Sequence, residues 1–174
     1  ATVCLNDGDT HNGPNEQAEA KFPVVVERFE LIQDSGGAGK YRGGLGIART
    51  TRALSPLAVN TQSERSACPP WGLDGGGEAA GNQVAFRLNG EWKTDFKNAK
   101  VLVAQLTEGD AFKISSGGGG GYGNALTRDI ASVREDVRQG YVSVEAAAEK
   151  YGVVIDPETF VVDNAASDKL RAAR

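Results

Sequence analysis

A single histidine, His11, bounds the chemistry open to this sequence. One imidazole cannot complete a His-based zinc or iron cluster within the chain. A Ser-His-Asp or Cys-His nucleophile system would have to recruit the same residue. Its neighbours Asp7, Asp9, Thr10 and Asn12 are polar and loop-like. That context suits a surface loop, and it equally suits an imidazole presented, with Asn12, to a site shared with another polypeptide. Cys4 and Cys68 lie far apart, form neither a metal spacing nor a redox pair, and are expected as reduced thiols.

The segment Glu64-Arg65-Ser66-Ala67-Cys68-Pro69-Pro70-Trp71-Gly72-Leu73-Asp74-Gly75-Gly76 is denser in functional residue types. A guanidinium at Arg65 can fix a carboxylate or carbonyl through its planar fork of donors. Trp71, stiffened by the two preceding prolines, can wall a pocket. The competing reading is a Glu64–Arg65 surface pair with the tryptophan buried under a turn. The run Gly117-Gly118-Gly119-Gly120-Gly121-Tyr122-Gly123 invites a phosphate-loop interpretation. A Walker loop, however, needs Gly-Lys-Ser/Thr at its end, and none follows. A dinucleotide fingerprint would open directly into a helix within a βαβ unit, whereas hairpin-like segments precede this run. The expectation is a backbone threading a space in which no Cβ fits.

These residues must be positioned by the elements around them. Residues 1 to about 20 read as irregular. A β-rich stretch at 24–32 has blurred alternation, as expected of a strand contacted on both faces. After the breaker Asp34-Ser35-Gly36-Gly37-Ala38-Gly39, strand-like runs resume at 47–54 and 57–62. Val84, Phe86 and Leu88 alternate with Ala85 and Arg87 before Asn89-Gly90 turns the chain into Glu91-Trp92-Lys93. Asn-Gly suits a two-residue type I′ hairpin because both turn positions need φ > 0. A second hairpin is expected from 101–106 and 111–115 across Glu108-Gly109-Asp110.

The period changes after the glycine run. Ile130, Val133 and Val137 fall at helical spacing behind Asp129 as N-cap, with Gly140 as the stop. Ser143 caps a second helix ended by Gly152, and Asp163 a third on which Ala166, Leu170 and Ala173 share a face. The fold class is therefore α+β: a β-rich body of hairpins with glycine-rich loops over 1–123, then a small helical tail over 124–174.

The chain's 174 residues suffice for one ordinary domain or two small ones. The formal charge of −4 is spread without a basic block, which argues against nucleic acid as the main partner. No apolar run approaches the roughly 20 residues of a membrane span, and the N-terminus lacks the basic start and apolar centre of a signal peptide. Methionine is absent even at position 1, so we expect a part of a longer chain that lacks its own catalytic half.

Three ordered blocks resemble the hydantoinase B/oxoprolinase family. Ser35-Gly36-Gly37-Ala38-Gly39-Lys40-Tyr41-Arg42-Gly43-Gly44-Leu45-Gly46 is similar to its Ser-Gly-Gly-Ala-Gly-basic-aromatic-Arg-Gly-Gly-Xaa-Gly stretch. Glu64-Arg65 with Pro70-Trp71-Gly72-Leu73 and Gly75-Gly76 resembles the next block. Gly118 to Gly123, Arg128-Asp129, Asp136-Val137, Gly140, Val142-Ser143 and Tyr151-Gly152-Val153 follow in the order of its C-terminal block. The resemblance runs from about Gly8 to Ile155.

The resemblance implies the C-terminal part of a B-type subunit, working in the cytoplasm with a hydantoinase A-type ATP-binding subunit and with the remaining N-terminal part of its own subunit. Such assemblies open cyclic amides such as hydantoins or 5-oxoproline at the expense of ATP. A related branch carboxylates acetone or acetophenone without biotin. ATP with magnesium and a divalent metal are expected in the complete complex and none of them on this segment, because the family's His and Asp ligands lie in the missing half. The family region around Thr10-His11-Asn12-Gly13-Pro14 approaches the active-site cavity. This chain's stretch is shorter than that of many lactam-opening members, so lactam and ketone both stay open. The resemblance thus makes Arg65 and His11 catalytic candidates, and Asn12 and Trp71 substrate-binding candidates. A non-catalytic scaffold or interface module is the reading from a different class.

Overall fold

A computed structural model describes residues 13–174. The chain forms two compact units, each discontinuous in sequence. The first comprises residues up to Glu30 with Ile47–Cys68 and Gly81–Ser116, and the second comprises Leu31–Gly46, Pro69–Ala80 and Gly117–Arg174. The fold class is α+β, as expected.

The first unit opens with a helix that sequence patterning missed, α1 (Asn15–Lys21). None of its residues is buried, so no apolar stripe marks it, and Pro14 at its N-cap is the main local signal. Strands β1 (Val24–Leu31), β2 (Ile47–Ala53), β4 (Gln83–Leu88), β5 (Glu91–Lys93) and β7 (Ala111–Ser115) build a five-stranded sheet in the order β1-β2-β7-β4-β5. Strands β3 (Leu57–Thr61) and β6 (Val101–Leu106) form a separate antiparallel pair. Val84, Phe86, Leu106, Ala53 and Ala99 form the core, with Phe112, Phe96 and Leu57 against it. Phe86 meets Phe96 edge-on at 5.2 Å between ring centroids, a favourable aromatic geometry.

Two strand expectations need correction. Strand β1 is not contacted on both faces in this chain: it lies at the sheet edge, and of its residues only Val24 is buried. The expected β6–β7 hairpin does not form either, because β6 pairs with β3 while β7 sits between β2 and β4. The cause is the bonding of the intervening turn. The Asp110 carboxylate accepts from the Thr107 amide at 2.8 Å and the Asn89 amide at 2.9 Å. The Asp110 carbonyl accepts from the Ala53 amide at 2.8 Å, and the Gly109 amide donates to the Ala53 carbonyl at 3.0 Å. The turn is thereby tied to the ends of β2 and β4, and the chain leaves it into their sheet. The Asn89-Gly90 hairpin forms as expected, with φ of 51° and 85° and Leu88 opposite Glu91.

In the second unit the glycine-rich segments lie backbone against backbone. Gly37 donates to the Gly119 carbonyl at 2.9 Å, Gly119 to Gly44 at 2.8 Å, Gly77 to Ala38 at 2.6 Å and Gly121 to Gly77 at 3.0 Å. A Cβ on Gly43 would land on the Gly119 carbonyl, and one on Gly120 would land on the Trp71 carbonyl. The glycine run therefore packs tightly, and side chains are absent there because the neighbouring chain occupies their space.

Helices α2 (Ile130–Arg138), α3 (Val144–Tyr151) and α4 (Asn164–Ala172) complete this unit, with the short pair β8 (Val154–Ile155) and β9 (Val162–Asp163). Asp129, Ser143 and Asp163 each cap their helix by accepting from the amide three residues on. Gly152 ends α3 in the left-handed conformation. Val133, Val137, Ala147, Tyr151, Val153 and Ile155 form the helical core, which Ala38 of the glycine-rich segment joins. Tyr151 is packed in this core, and burial pushes its phenol up to about 12. Among the described residues no helix is long and apolar enough to cross a membrane.

Candidate functional site

The loop after β3 carries Arg65 in the left-handed region at φ 56°, a conformation that costs a non-glycine residue energy. Two bonds from Asn82 hold it there. Its amide donates to the Arg65 carbonyl at 3.1 Å, and its side-chain Nδ2 donates to the Glu64 carbonyl at 2.5 Å. Glu64 directs its carboxylate to Lys100 at 2.6 Å. Arg65 itself is exposed. The next residue, Ser66, lines a cavity of about 340 Å³ with Asn82, Thr94, Phe96 and Asn98. That volume lies within the range of small-molecule sites.

Trp71 belongs to the second unit and is 62% exposed, which overturns the picture of a tryptophan buried under a turn. Its backbone is locked, since its carbonyl rests where a Cβ on Gly120 would stand. Two residues on, the Leu73 amide donates to the Gly121 carbonyl at 2.9 Å. Tyr122 bridges to both Leu73 and Tyr41 along the same glycine edge, with the two tyrosine rings 6.2 Å apart. A rigid backbone thus displays Trp71, Leu73, Tyr41 and Tyr122, all at least half exposed. Arg65 and Trp71 are placed in separate units. His11 and Asn12 lie outside the described residues.

A further cluster escaped sequence reasoning. In the second unit Asp136 of α2 accepts from Arg42 Nε at 3.1 Å and from Arg128 Nη2 at 2.9 Å. Arg42 also donates to the Gly43 carbonyl at 2.8 Å and lies over the Tyr141 ring, and Arg128 donates to the Lys40 carbonyl at 3.0 Å. All three side chains are nearly buried. A charge pair removed from water needs further bonds to its lone pairs and protons; these backbone acceptors supply some of them, while the buried Arg128 Nε has no partner. The cluster clips the glycine-rich segment to α2. Arg42, Arg128 and Asp136 each stand in a block that carries the family resemblance, and that was the available signal. Nothing in one dimension pairs residues 94 apart.

The same segments answer the phosphate question. The amides of Gly118, Gly119, Gly121 and Tyr122, which a phosphate loop would direct at its ligand, donate to the carbonyls of Ala80, Gly44, Gly77 and Tyr41. Among the described residues no group of three or more His, Cys, Asp or Glu is placed to hold a metal ion. The amides of the glycine run are thus used within the chain and form no phosphate cradle.

Comparison with known proteins agrees with this layout of motifs. A model of the hydantoinase B/oxoprolinase family matches residues 1–125. The β chain of the Pseudomonas jessenii caprolactamase is 37% identical over 95% of this chain and 29% of its own length. The B component ascribed to a D-/L-hydantoinase of a Pseudomonas species is 30% identical over 84% of this chain and 25% of its own length. The nucleotide-free structure of an acetone carboxylase, from work on ATP-dependent acetone carboxylation, superposes with a TM-score of 0.80 at 26% identity, covering 92% of this chain and 26% of that one. The chain thus spans less than a third of the length of these relatives. With the family model covering well over half of the chain, the protein belongs to the hydantoinase B/oxoprolinase family.

Proposed function

We propose that this chain is part of the B-type subunit of an ATP-dependent cyclic-amide hydrolase that opens hydantoin, 5-oxoproline or lactam rings. The observation that carries the reading is the near-complete coverage of this chain by the caprolactamase and hydantoinase relatives. In the reaction, water adds across the ring C–N bond, giving a carboxylate and a free amine or ureido nitrogen. ATP is consumed on the A-type subunit. The assembly is cytoplasmic, and a divalent metal is held by the N-terminal part of the B-type subunit.

This chain's part in the chemistry is positioning. The Arg65 guanidinium orients a substrate oxygen or an acidic neighbour beside the cavity at Ser66, and its strained, doubly tethered backbone supports that role. Trp71 offers an exposed apolar wall on a backbone that cannot shift. His11 and Asn12 contribute from a stretch similar to the family region that approaches the active-site cavity.

The acetone carboxylase likeness favours a second reading, a subunit of a biotin-independent ketone carboxylase. Co-expression with an A-type subunit and the rest of the B-type subunit separates the two. The purified complex is supplied with ATP and either a lactam, a hydantoin and 5-oxoproline, or acetone and acetophenone with labelled bicarbonate. ATP-dependent ring opening supports the hydrolase. Label fixed into a keto acid, with no ring opened, would transfer the assignment to the carboxylase. A complex that turns over neither substrate class would favour the scaffold.

A further inference from the structure

One face of the five-stranded sheet in the first unit is polar and lines a hollow of about 440 Å³. Its floor can be read row by row from the strand register. Arg52, Ala111 and Arg87 form one row, and both guanidiniums converge on the Glu27 carboxylate, at 2.8 Å and 3.1 Å. Burial alone would raise the Glu27 carboxyl, but bonding to Arg87 and Arg52 prevails and holds it below its ordinary value. That charge is spoken for.

The next row is Thr50, Lys113 and Ala85. Lys113 is half-buried, with the small Ala85 on one side leaving room above it. Among the described residues no carboxylate comes within ion-pair distance of its ammonium. Ser115 and Gln83 form the third row and line the same hollow. Trp92, opposite Arg87 and stacked with its guanidinium at 5.5 Å, walls the other side.

We propose that this hollow is a second binding site, specific for a small monocarboxylate and centred on Lys113. The charge balance selects the class. Glu30 lies 3.9 Å from Arg28 and Glu27 is shared by Arg52 and Arg87, so the Lys113 ammonium is the one charge lining the hollow with no acid beside it among the described residues. A carboxylate neutralises that charge, whereas a phosphate dianion overshoots it. The ammonium is a compact charge with three donors, and the Thr50 and Ser115 hydroxyls and the Gln83 amide add neutral donors around it. Trp92 supplies the apolar contact for the body of the ligand. This site stands apart from the ring-opening reading and does not depend on it.

Titrating the chain with benzoate tests the proposal. In a Trp71→Phe background Trp92 is the sole indole, so its fluorescence reports this hollow alone. Saturable quenching by benzoate is expected, with no saturation by the neutral isostere benzamide and weaker binding of inorganic phosphate. Lys113→Met, which keeps the stem and removes the charge, should raise the benzoate Kd at least about tenfold, equal to ~1.4 kcal/mol. Thr50→Val should raise it less. Benzoate that fails to saturate at millimolar concentration, or binds folded Lys113→Met as tightly as the parent, would overturn the site. Tighter binding of phosphate would overturn the monoanion class. An acetylated glutamyl peptide that binds where benzoate does not would reassign the hollow to a protein carboxylate and overturn the small-molecule class.

Discussion

The two units of this chain make a core in opposite ways. In the first, side chains fill the interior: Phe86 is fully buried among Val84, Leu106, Phe96 and Phe112. In the second, part of the interior is made by leaving side chains out, so that carbonyls of Gly119 and Trp71 occupy the space where Cβ atoms would stand. The first kind of core is fixed by volume and tolerates swaps that conserve it. The second is fixed by backbone bonds and has no room for an added carbon at positions such as Gly43 and Gly120. The exposed aromatic edge of Tyr41, Trp71 and Tyr122 is built on that second, stiffer kind.

Truncation of the side-chain core should have the largest effect. Phe86→Ala should cost about 3–5 kcal/mol in denaturant unfolding, because the cavity only partly collapses, and Phe86→Leu under ~1.5 kcal/mol. Equal losses for both would remove the volume argument. In the glycine core the smallest possible addition already matters: Gly120→Ala should cost about 1–3 kcal/mol. Gly119→Ala is the control within the same run, since its Cβ would approach the Gly44 nitrogen only to 3.2 Å, and it should cost clearly less. If the two glycines respond alike, the run is not packed as described.

A smaller effect tests the turn that sends β6 and β7 into different sheets. Backbone bonds from Thr107 and Asn89, with the Thr107 hydroxyl, hold the Asp110 carboxyl below its ordinary 3.8. A depressed folded-state pKa means stability that is fully present above the unfolded value and lost as pH falls through the folded one. The chain should therefore lose stability as pH drops below about 3.8, and Asp110→Asn should flatten that part of the profile. An unchanged acid limb would show that this carboxylate does not secure the turn. Least of all, Gly90→Ala at φ 85°, with open space around it, should cost about 1 kcal/mol, purely from the backbone conformation.

What was legible in the sequence was local. Asp129, Ser143 and Asp163 cap helices through amides three residues away, and Asn89-Gly90 sets its hairpin by its own φ preference. Each signal and its consequence fall within one turn of chain. The partners of β6 and β7 were not legible, because the bonds that separate these strands join Asp110 to Ala53 and Asn89. The α1 helix was missed because an exposed polar helix has no apolar period to read. At the site, Arg65 and Trp71 could be named from residue type and spacing. The left-handed backbone at Arg65, its Asn82 tethers and the Arg42–Asp136–Arg128 clip are products of tertiary contact alone.

The functional account rests on the loop after β3 as a positioning element for substrate, and Arg65→Lys in the assembled complex tests it most directly. Lysine keeps the charge and loses the bidentate fork. The measurement is kcat/KM for ATP-dependent ring opening, beside the melting temperature and subunit stoichiometry of the same preparation. The account predicts a fall of at least about tenfold, ~1.4 kcal/mol of barrier, with melting and assembly unchanged. Parental turnover in a correctly assembled Arg65→Lys complex would contradict it.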